Sequence, residues 1–289
     1  LFQMTGNSLY ADYMESAIYN ALMASLKADA SQIAKYSPLE GCRHEGEEQC
    51  GMHINCCNAN GPRAFAMIPQ FAYQVKDDCI RVNFYGKSEA EVMLPGKKNV
   101  RIRQITDYPV TDEITLQVDP AKDSPFTIAL RIPAWSRQTM VLVNGEPEDG
   151  VLQGAYLPVT RKWKAGDKIT VRLDLRACLV EMNQAQAIVR GPLVLARDSR
   201  FNDGFIDETT VVVNKDGYVE LTPVKAPDFA WMAFTAPLIL GTDLEGNSAA
   251  RPIHFCDFAS AGNTWDRSQR YRVWLPRTLN VMHAPYKPY

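Results

Sequence analysis

Apolar residues near the start of the chain recur with helical spacing. They stand four residues apart, at Met14, Ile18, Leu22 and Leu26. This spacing places them on one face of an α-helix, so the pattern predicts an amphipathic helix over residues 8–27. Asn7 and Ser8 precede the pattern with side chains that commonly begin a helix.

A second helix is predicted after a long polar loop. Residues 28–61 lack hydrophobic periodicity, and a loop of this length inside a compact domain usually serves a function. The helix is expected from about Pro62 to Val75, with Asn60 as its cap and the proline near its first turn. Its buried face is expected to consist of Ala64, Phe65, Ile68, Phe71 and Ala72.

From residue 79 onward the pattern is that of β-strands. Apolar and polar residues alternate in short segments, and turn dipeptides such as Asn144-Gly145 separate them. Strands this numerous without intervening helices predict antiparallel sandwich architecture. The predicted strands lie near 79–85, 89–94, 98–106, 113–118, 126–132, 139–143, 151–157, 168–175, 178–183 and 187–196, with weaker ones at 209–213, 219–221, 237–241 and 271–275.

Composition narrows the functional classes. Of the 289 residues, 46% are hydrophobic and 22% are charged, and the formal net charge is −2. This balance is typical of a folded globular chain and gives no electrostatic reason to expect nucleic acid or an anionic membrane as a partner. No apolar run has the length of a membrane-spanning helix. Seven irregularly spaced cysteines leave the compartment open between periplasm and cytoplasm.

Reactive side chains cluster in the polar loop between the two predicted helices. Cys56 and Cys57 are adjacent and stand just before a helix start, where unpaired backbone N–H groups favour a thiolate. A thiolate is both a nucleophile and a ligand for Zn2+. Further candidate ligands are Cys42, Glu48, Cys50 and His53. From the residues alone, three interpretations of the pair stay open: a metal or catalytic site, inert packing, and a vicinal disulfide.

The segment Cys56-Cys57-Asn58-Ala59-Asn60-Gly61-Pro62-Arg63 resembles the signature of the β-L-arabinofuranosidases of glycoside hydrolase family 127. Shorter landmarks of that family stand along the chain in the expected order, although Ser37 takes the place of an asparagine. They are Tyr19-Asn20, Tyr36-Ser37-Pro38-Leu39, Arg131-Ile132-Pro133-Ala134-Trp135, Val143-Asn144-Gly145 and Arg190-Gly191-Pro192-Leu193-Val194.

The resemblance implies an α+β multidomain fold, in which the end of an (α/α)6 toroid is followed by antiparallel β-sandwich domains. We expect residues 1–76 to form the end of the helical catalytic domain with the Cys-Cys loop. Residues 77–184 are expected to form a β-sandwich, and residues 185–289 a second β-sandwich-like unit.

The resemblance also implies a zinc-dependent, retaining glycoside hydrolase that acts on terminal β-L-arabinofuranosyl or related plant-glycan sugars. Cys56 would be the nucleophile, and both Cys56 and Cys57 would bind Zn2+. We expect Tyr36 and His53 to contact the sugar. The expected partner is an oligosaccharide, with neither nucleic acid nor a membrane, and a homo-oligomer is compatible with the sequence.

The chain also departs from the family pattern in its metal ligands. In the family, the remaining zinc ligands form a Glu-x-Cys motif, and this motif and the acid/base glutamate lie upstream of the helix that corresponds to residues 8–27. Glu48-Gln49-Cys50 repeats the motif in the polar loop instead of upstream, so the repeat is either a coincidence or the source of the missing ligands. We therefore expect this chain to be the C-terminal part of such an enzyme and to be inactive alone.

Two other functions stay open at this stage. In the first, a non-catalytic carbohydrate-binding or scaffold β-sandwich holds a structural zinc at the Cys pair. Four of its five tryptophans would then either stack on sugars or fill the core; they are Trp135, Trp163, Trp265 and Trp274. In the second, Cys56 and His53 form a papain-like pair, which requires a sulfur that is free of zinc.

Overall fold

The computed structural model describes residues 1–44, 56–240 and 249–277 of the chain. It divides the chain into two compact units. The first consists of Leu1–Ile18 and Ala59–Leu175, and the second of Tyr19–Asn58 and Arg176–Tyr289. The domain limits predicted at residues 77 and 185 stay predictions. Among the helices of the described residues, none has the length and apolar character that crossing a bilayer requires.

The helical elements precede most of the strands. They are α1 (Phe2–Thr5), α2 (Ser8–Ala17), a π-helical segment (Ile18–Leu22) that continues α2, and α3 (Cys56–Ala72). Asn7 begins α2 as predicted, because its side-chain oxygen accepts a hydrogen bond from the Leu9 N–H at 3.0 Å. Gly6 ends α1 in the left-handed conformation, with φ 64°.

Helix α3 begins earlier than the sequence predicts. It starts at Cys56 instead of Pro62, so the prediction that Asn60 caps it is wrong. Asn60 lies inside the helix, and its side-chain oxygen accepts a hydrogen bond from Arg63 at 2.6 Å. Pro62 and Pro69 both stand within the helix, although a proline there lacks the N–H that would bond the preceding turn.

The first unit contains two sheets in which neighbouring strands are antiparallel, except that β3 runs parallel to β7. The strand orders are β10-β7-β3-β2 and β4-β5-β6-β11-β8-β9, while β1 belongs to the second unit. The strands up to residue 175 are β1 (Glu40–Gly41), β2 (Tyr73–Lys76), β3 (Cys79–Val82), β4 (Ser88–Leu94), β5 (Lys98–Ile105), β6 (Glu113–Pro120), β7 (Ser124–Arg131), β8 (Met140–Val143), β9 (Glu146–Pro147), β10 (Tyr156–Trp163) and β11 (Asp167–Arg172).

Alternate residues of these strands are buried, as their sequence pattern predicts. Ile114, Leu116 and Val118 on β6 are fully buried, and the residues between them are partly exposed. Asn144 and Gly145 both have positive φ angles and form the turn between β8 and β9. The strand predicted near 151–157 begins only at Tyr156 and continues to Trp163.

The second unit is built on an antiparallel sheet in the order β15-β19-β20-β14-β13-β12-β17-β16. Its strands are β12 (Ala177–Met182), β13 (Ala185–Arg190), β14 (Leu193–Asp198), β15 (Thr210–Val212), β16 (Asn214–Lys215), β17 (Tyr218–Val219), β18 (Thr222–Val224), β19 (Ala233–Leu240), β20 (Arg251–Asp257), β21 (Tyr271–Arg272) and β22 (Leu275–Pro276). The single strand predicted near 187–196 is two strands, because the chain turns at Gly191-Pro192.

Helix α2 buries both polar and apolar residues. Its fully buried positions are Ser8, Ala11, Asp12 and Glu15. Of the predicted apolar stripe, Met14 and Ile18 are half-buried and pack against an apolar core cluster, whereas Leu9 and Tyr13 are 41% and 62% exposed. The sequence pattern therefore predicts the helix and part of its buried face, but not its buried carboxylates.

Arg131, at the end of β7, pairs with the two carboxylates that α2 buries, Asp12 and Glu15. Its guanidinium is fully buried and forms ion pairs with Asp12 and with Glu15, the latter at 2.7 Å. Asp12 also accepts a hydrogen bond from the Ala134 N–H at 2.9 Å, and Glu15 accepts one from the Tyr108 hydroxyl at 2.9 Å. The charge pairing thus compensates the cost of burying two carboxylates.

Candidate active site

The two adjacent cysteines are the first residues of helix α3. Cys56 and Cys57 are both half-buried, and their sulfurs are not joined in a disulfide in the structure. Backbone N–H groups in the first turn of a helix have no partner within the helix and carry the positive end of its dipole. A negatively charged sulfur is favoured at this position.

The electrostatic surroundings of Cys57 oppose that tendency. Partial burial raises the pKa of Cys57, and the hydrogen bond to Cys56 and the charge of Cys56 raise it further. The charge of Lys35 acts in the opposite direction and lowers the pKa of Cys57. Two neighbouring thiols repel each other once both are ionised, so a nearby positive charge is what the pair needs to carry two negative charges.

Lys35 links the predicted sugar contact Tyr36 to the cysteine pair. Its ammonium group lies 5.2 Å from the centre of the Tyr36 ring, and its charge reaches Cys57. The Tyr36 side chain is 65% exposed and thus open to a ligand. Lys35 is not predictable from the sequence as a site residue, because a lysine in a polar loop gives no signal of what it contacts.

The other predicted site residues lie outside the described part of the chain. These are His53, expected to contact the sugar, and the candidate ligands Glu48 and Cys50. Cys42 is a half-buried thiol at the edge of the described segment.

The donor set at the start of α3 suits zinc in part. Two thiols are ligands that Zn2+ prefers, and a structural zinc site has four ligands in a tetrahedron. Within residues 1–44, 56–240 and 249–277, no group of three or more His, Cys, Asp and Glu residues is placed to hold a metal. The described residues therefore fit two of the four positions, those of Cys56 and Cys57.

Two of the sequence landmarks meet in the second unit. The buried Asn20 side chain donates a hydrogen bond to the Pro192 carbonyl oxygen and accepts one from the Val194 N–H, both at 2.8 Å. Asn20 thereby satisfies backbone groups at the start of β14, as a neighbouring strand would. The landmark Tyr19-Asn20 thus has a physical reason to accompany the landmark at residues 190–194.

Solved structures share this fold. A GH127 β-L-arabinofuranosidase from Geobacillus stearothermophilus T6 superimposes with a TM-score of 0.79, at 23% identity, over 95% of this chain and 47% of that protein. A second structure, described as a GH127 β-arabinofuranosidase, gives a TM-score of 0.80 at 24% identity, over 96% of this chain and 47% of that one. A third, described as a glycoside hydrolase, gives 0.78 at 23% identity. The fold is therefore that of a class of glycoside hydrolases.

Sequence comparisons name the family within that class. The family model for the GH127 β-L-arabinofuranosidase catalytic domain matches residues 1–70, and the model for the GH127 middle domain matches residues 79–175. A non-reducing end β-L-arabinofuranosidase from Bifidobacterium longum subsp. longum is 26% identical over 220 residues, which are 68% of this chain and 32% of that enzyme. The chain is a glycoside hydrolase family 127-like protein, and it spans about a third of the length of this curated relative.

Proposed function

We propose that the protein carrying this chain is a retaining glycoside hydrolase that releases terminal β-L-arabinofuranosyl groups, with Cys56 as its nucleophile. The observation that carries the proposal is the pair of thiols at the start of α3, inside the segment that matches the GH127 catalytic domain. The name of the curated relative supports the choice of sugar and of the non-reducing end.

The proposed reaction has two steps at the anomeric carbon. The Cys56 thiolate attacks this carbon, a C–S bond forms, and the glycosidic C–O bond breaks while an acidic group protonates the leaving oxygen. Water then attacks the same carbon while the conjugate base of that acidic group takes its proton, the C–S bond breaks, and the thiolate is regenerated. Two inversions give net retention of configuration.

Zinc belongs to this proposal through Cys56 and Cys57. These two residues would hold the metal, and a bound Zn2+ supplies positive charge that keeps coordinated sulfur deprotonated at neutral pH. Lys35 adds a second positive charge beside Cys57. We propose that Tyr36 contacts the sugar, since its ring is exposed next to Lys35, and we extend that role to His53 on the resemblance alone.

The architecture around the site is part of the proposal. We propose that α2 and α3 are helices of an (α/α)6 toroid and that residues 1–76 belong to the catalytic domain. The exposed apolar side chains Leu9 and Tyr13 on α2 support this, because such side chains suit a further helix packed against them. Residues 77–184 and 185–289 would then form the two β-sandwich units.

A sugar-binding scaffold without catalysis receives less support. Trp163 is fully buried and Trp265 is 9% exposed, so both rings fill the interior instead of offering a surface to a sugar. Trp135 and Trp274 are half-buried. The papain-like alternative depends on His53, which lies outside the described residues.

The metal content of the purified enzyme tests the zinc assignment. We expect about one zinc per chain by elemental analysis, because a four-ligand site holds one ion. The double variant Cys56→Ser, Cys57→Ser is expected to lose it. Cys178→Ser is the matched control, since Cys178 is also a half-buried thiol but lies on β12. Zinc that persists in the double variant would contradict the assignment.

A further inference from the structure

Arg43 is a fully buried cation in the second unit, two residues after β1. Its guanidinium donates hydrogen bonds to the carbonyl oxygen of Ala259, at 2.8 Å, and to that of Phe258. It also lies against two aromatic rings that contact each other, 4.8 Å from the centre of Phe258 and 5.0 Å from that of Tyr271. A buried charge is costly unless such contacts replace water, so these contacts specify the position of Arg43.

The Tyr271 ring, which packs against Arg43, is tightly enclosed. Tyr271 is fully buried, and Gly262 stands against it with φ 61°. A Cβ atom at Gly262 would lie 2.6 Å from the Tyr271 ring, closer than carbon atoms approach each other, so only glycine leaves the ring room. The residues around Arg43 are therefore closely packed.

The segment before Arg43 is bound to the same strands. The Tyr271 hydroxyl donates to the Pro38 carbonyl oxygen at 2.5 Å, and the Val273 N–H donates to that of Leu39 at 2.8 Å. Strand β1 pairs with β21, and Glu40 forms an ion pair with Arg272 at 2.8 Å. Residues 38–43 are thus held along their whole length.

This bound segment begins two residues after Tyr36, the proposed sugar contact, whose side chain is 65% exposed. We propose that Arg43 is a positioning residue, which holds residues 38–43 on strand β21 and on the turn after β20 and thereby keeps Tyr36 in place to contact the sugar. Its catalytic consequence rests on the proposed function, whereas its hold on the segment does not. Strand β21 of the second unit then helps to position a sugar contact.

Two measurements on one variant test this role. Arg43→Met keeps an unbranched apolar stem but removes the guanidinium, and with it both hydrogen bonds and the charge. We expect faster hydrogen exchange at the amides of residues 33–44, by about tenfold or more, because a held segment becomes able to open locally. In the full-length enzyme we expect KM for p-nitrophenyl β-L-arabinofuranoside to rise about tenfold, with a smaller change in kcat, since a displaced contact residue weakens binding first.

Gln186→Met is the matched control. Gln186 is equally buried in the same unit and donates to the Thr210 carbonyl oxygen at 2.7 Å, but it lies on β13, which does not pair with β21. We expect it to lower stability yet to leave both the exchange of residues 33–44 and KM within about twofold. Arg43→Lys, which keeps the charge, should restore part of the Arg43→Met loss. Should Arg43→Met not fold, Tyr271→Phe removes only the bond to Pro38 and is expected to accelerate the same amides.

The outcomes separate the two proposals. Unchanged exchange at residues 33–44 in folded Arg43→Met or Tyr271→Phe would overturn the inference. Faster exchange with unchanged KM would overturn the positioning role and leave a purely structural one. If the wild-type enzyme does not hydrolyse the substrate, the proposed function fails, while the exchange data still decide whether Arg43 holds the segment.

Discussion

Cys56→Ser is expected to abolish hydrolysis of p-nitrophenyl β-L-arabinofuranoside by the full-length enzyme, with kcat lower by about 10⁴-fold or more. A serine hydroxyl is far less acidic than a thiol, so it supplies almost no anion to attack the anomeric carbon, and it is a weaker zinc ligand. The measurement is steady-state kinetics on the purified variant.

Stability must be measured on the same preparation, because a loss of activity through unfolding would mean nothing. The half-buried position of Cys56 at a helix start should accept serine with little change in the unfolding midpoint. Cys178→Ser serves again as the control and should keep wild-type kinetics. A folded Cys56→Ser enzyme with wild-type kcat would remove Cys56 from the mechanism.

Arg131→Met is expected to lower the free energy of unfolding by about 3–5 kcal/mol. The variant leaves the carboxylates of Asp12 and Glu15 buried without the cation that pairs with both. Burial, the largest effect on Arg131, acts to lower its pKa, yet the charges of Glu15, Tyr108 and Asp12 outweigh it and raise the pKa. The same attraction holds α2 against strand β7.

An exposed arginine in the same unit provides the control. Arg103 forms an ion pair with Glu89 at 2.8 Å, but its side chain is 43% exposed. Water screens this pair, so Arg103→Met should cost less than about 1 kcal/mol. Denaturant unfolding of both variants gives the comparison. Equal losses of stability in the two would show that the buried cluster contributes no more than a surface pair.

Local elements can be predicted from the sequence where the preference of one residue type determines the backbone conformation. Asn7 caps α2, and Asn144-Gly145 turns between β8 and β9, because each side chain or backbone preference acts over a few residues. The alternation of Ile114, Leu116 and Val118 likewise predicts their burial. These expectations need no knowledge of the rest of the chain.

Expectations that depend on distant partners succeed less often. Helix α2 buries Asp12 and Glu15 because Arg131 forms ion pairs with both. Arg131 lies more than a hundred residues further along the chain, and no periodicity in the sequence indicates this pairing. Pro62 suggests a helix start, while the helix in fact begins at Cys56 and continues through the proline. Arg43 and Lys35 stand in a loop without pattern, and their roles become visible only through Tyr271 and Cys57.

The candidate site likewise combines features that the sequence indicates with features that depend on tertiary contacts. The adjacent thiols are evident from the sequence, which places them just before a helix, whereas in the structure they are the first residues of α3. The surroundings that would tune them, namely Lys35 and the segment held by Arg43, come from tertiary contacts. Sequence therefore indicates the chemistry, and the fold supplies the residues that position it.

Peptide mapping of a trapped intermediate tests most directly whether Cys56 is the nucleophile. The full-length enzyme is incubated with a fluorinated, activated β-L-arabinofuranosyl substrate whose intermediate hydrolyses slowly, and then digested and analysed by mass spectrometry. We expect one glycosyl group, attached to the sulfur of Cys56, with Cys57 and Cys178 unmodified. A glycosyl group on a carboxylate, or turnover that inverts the anomeric configuration, would contradict it.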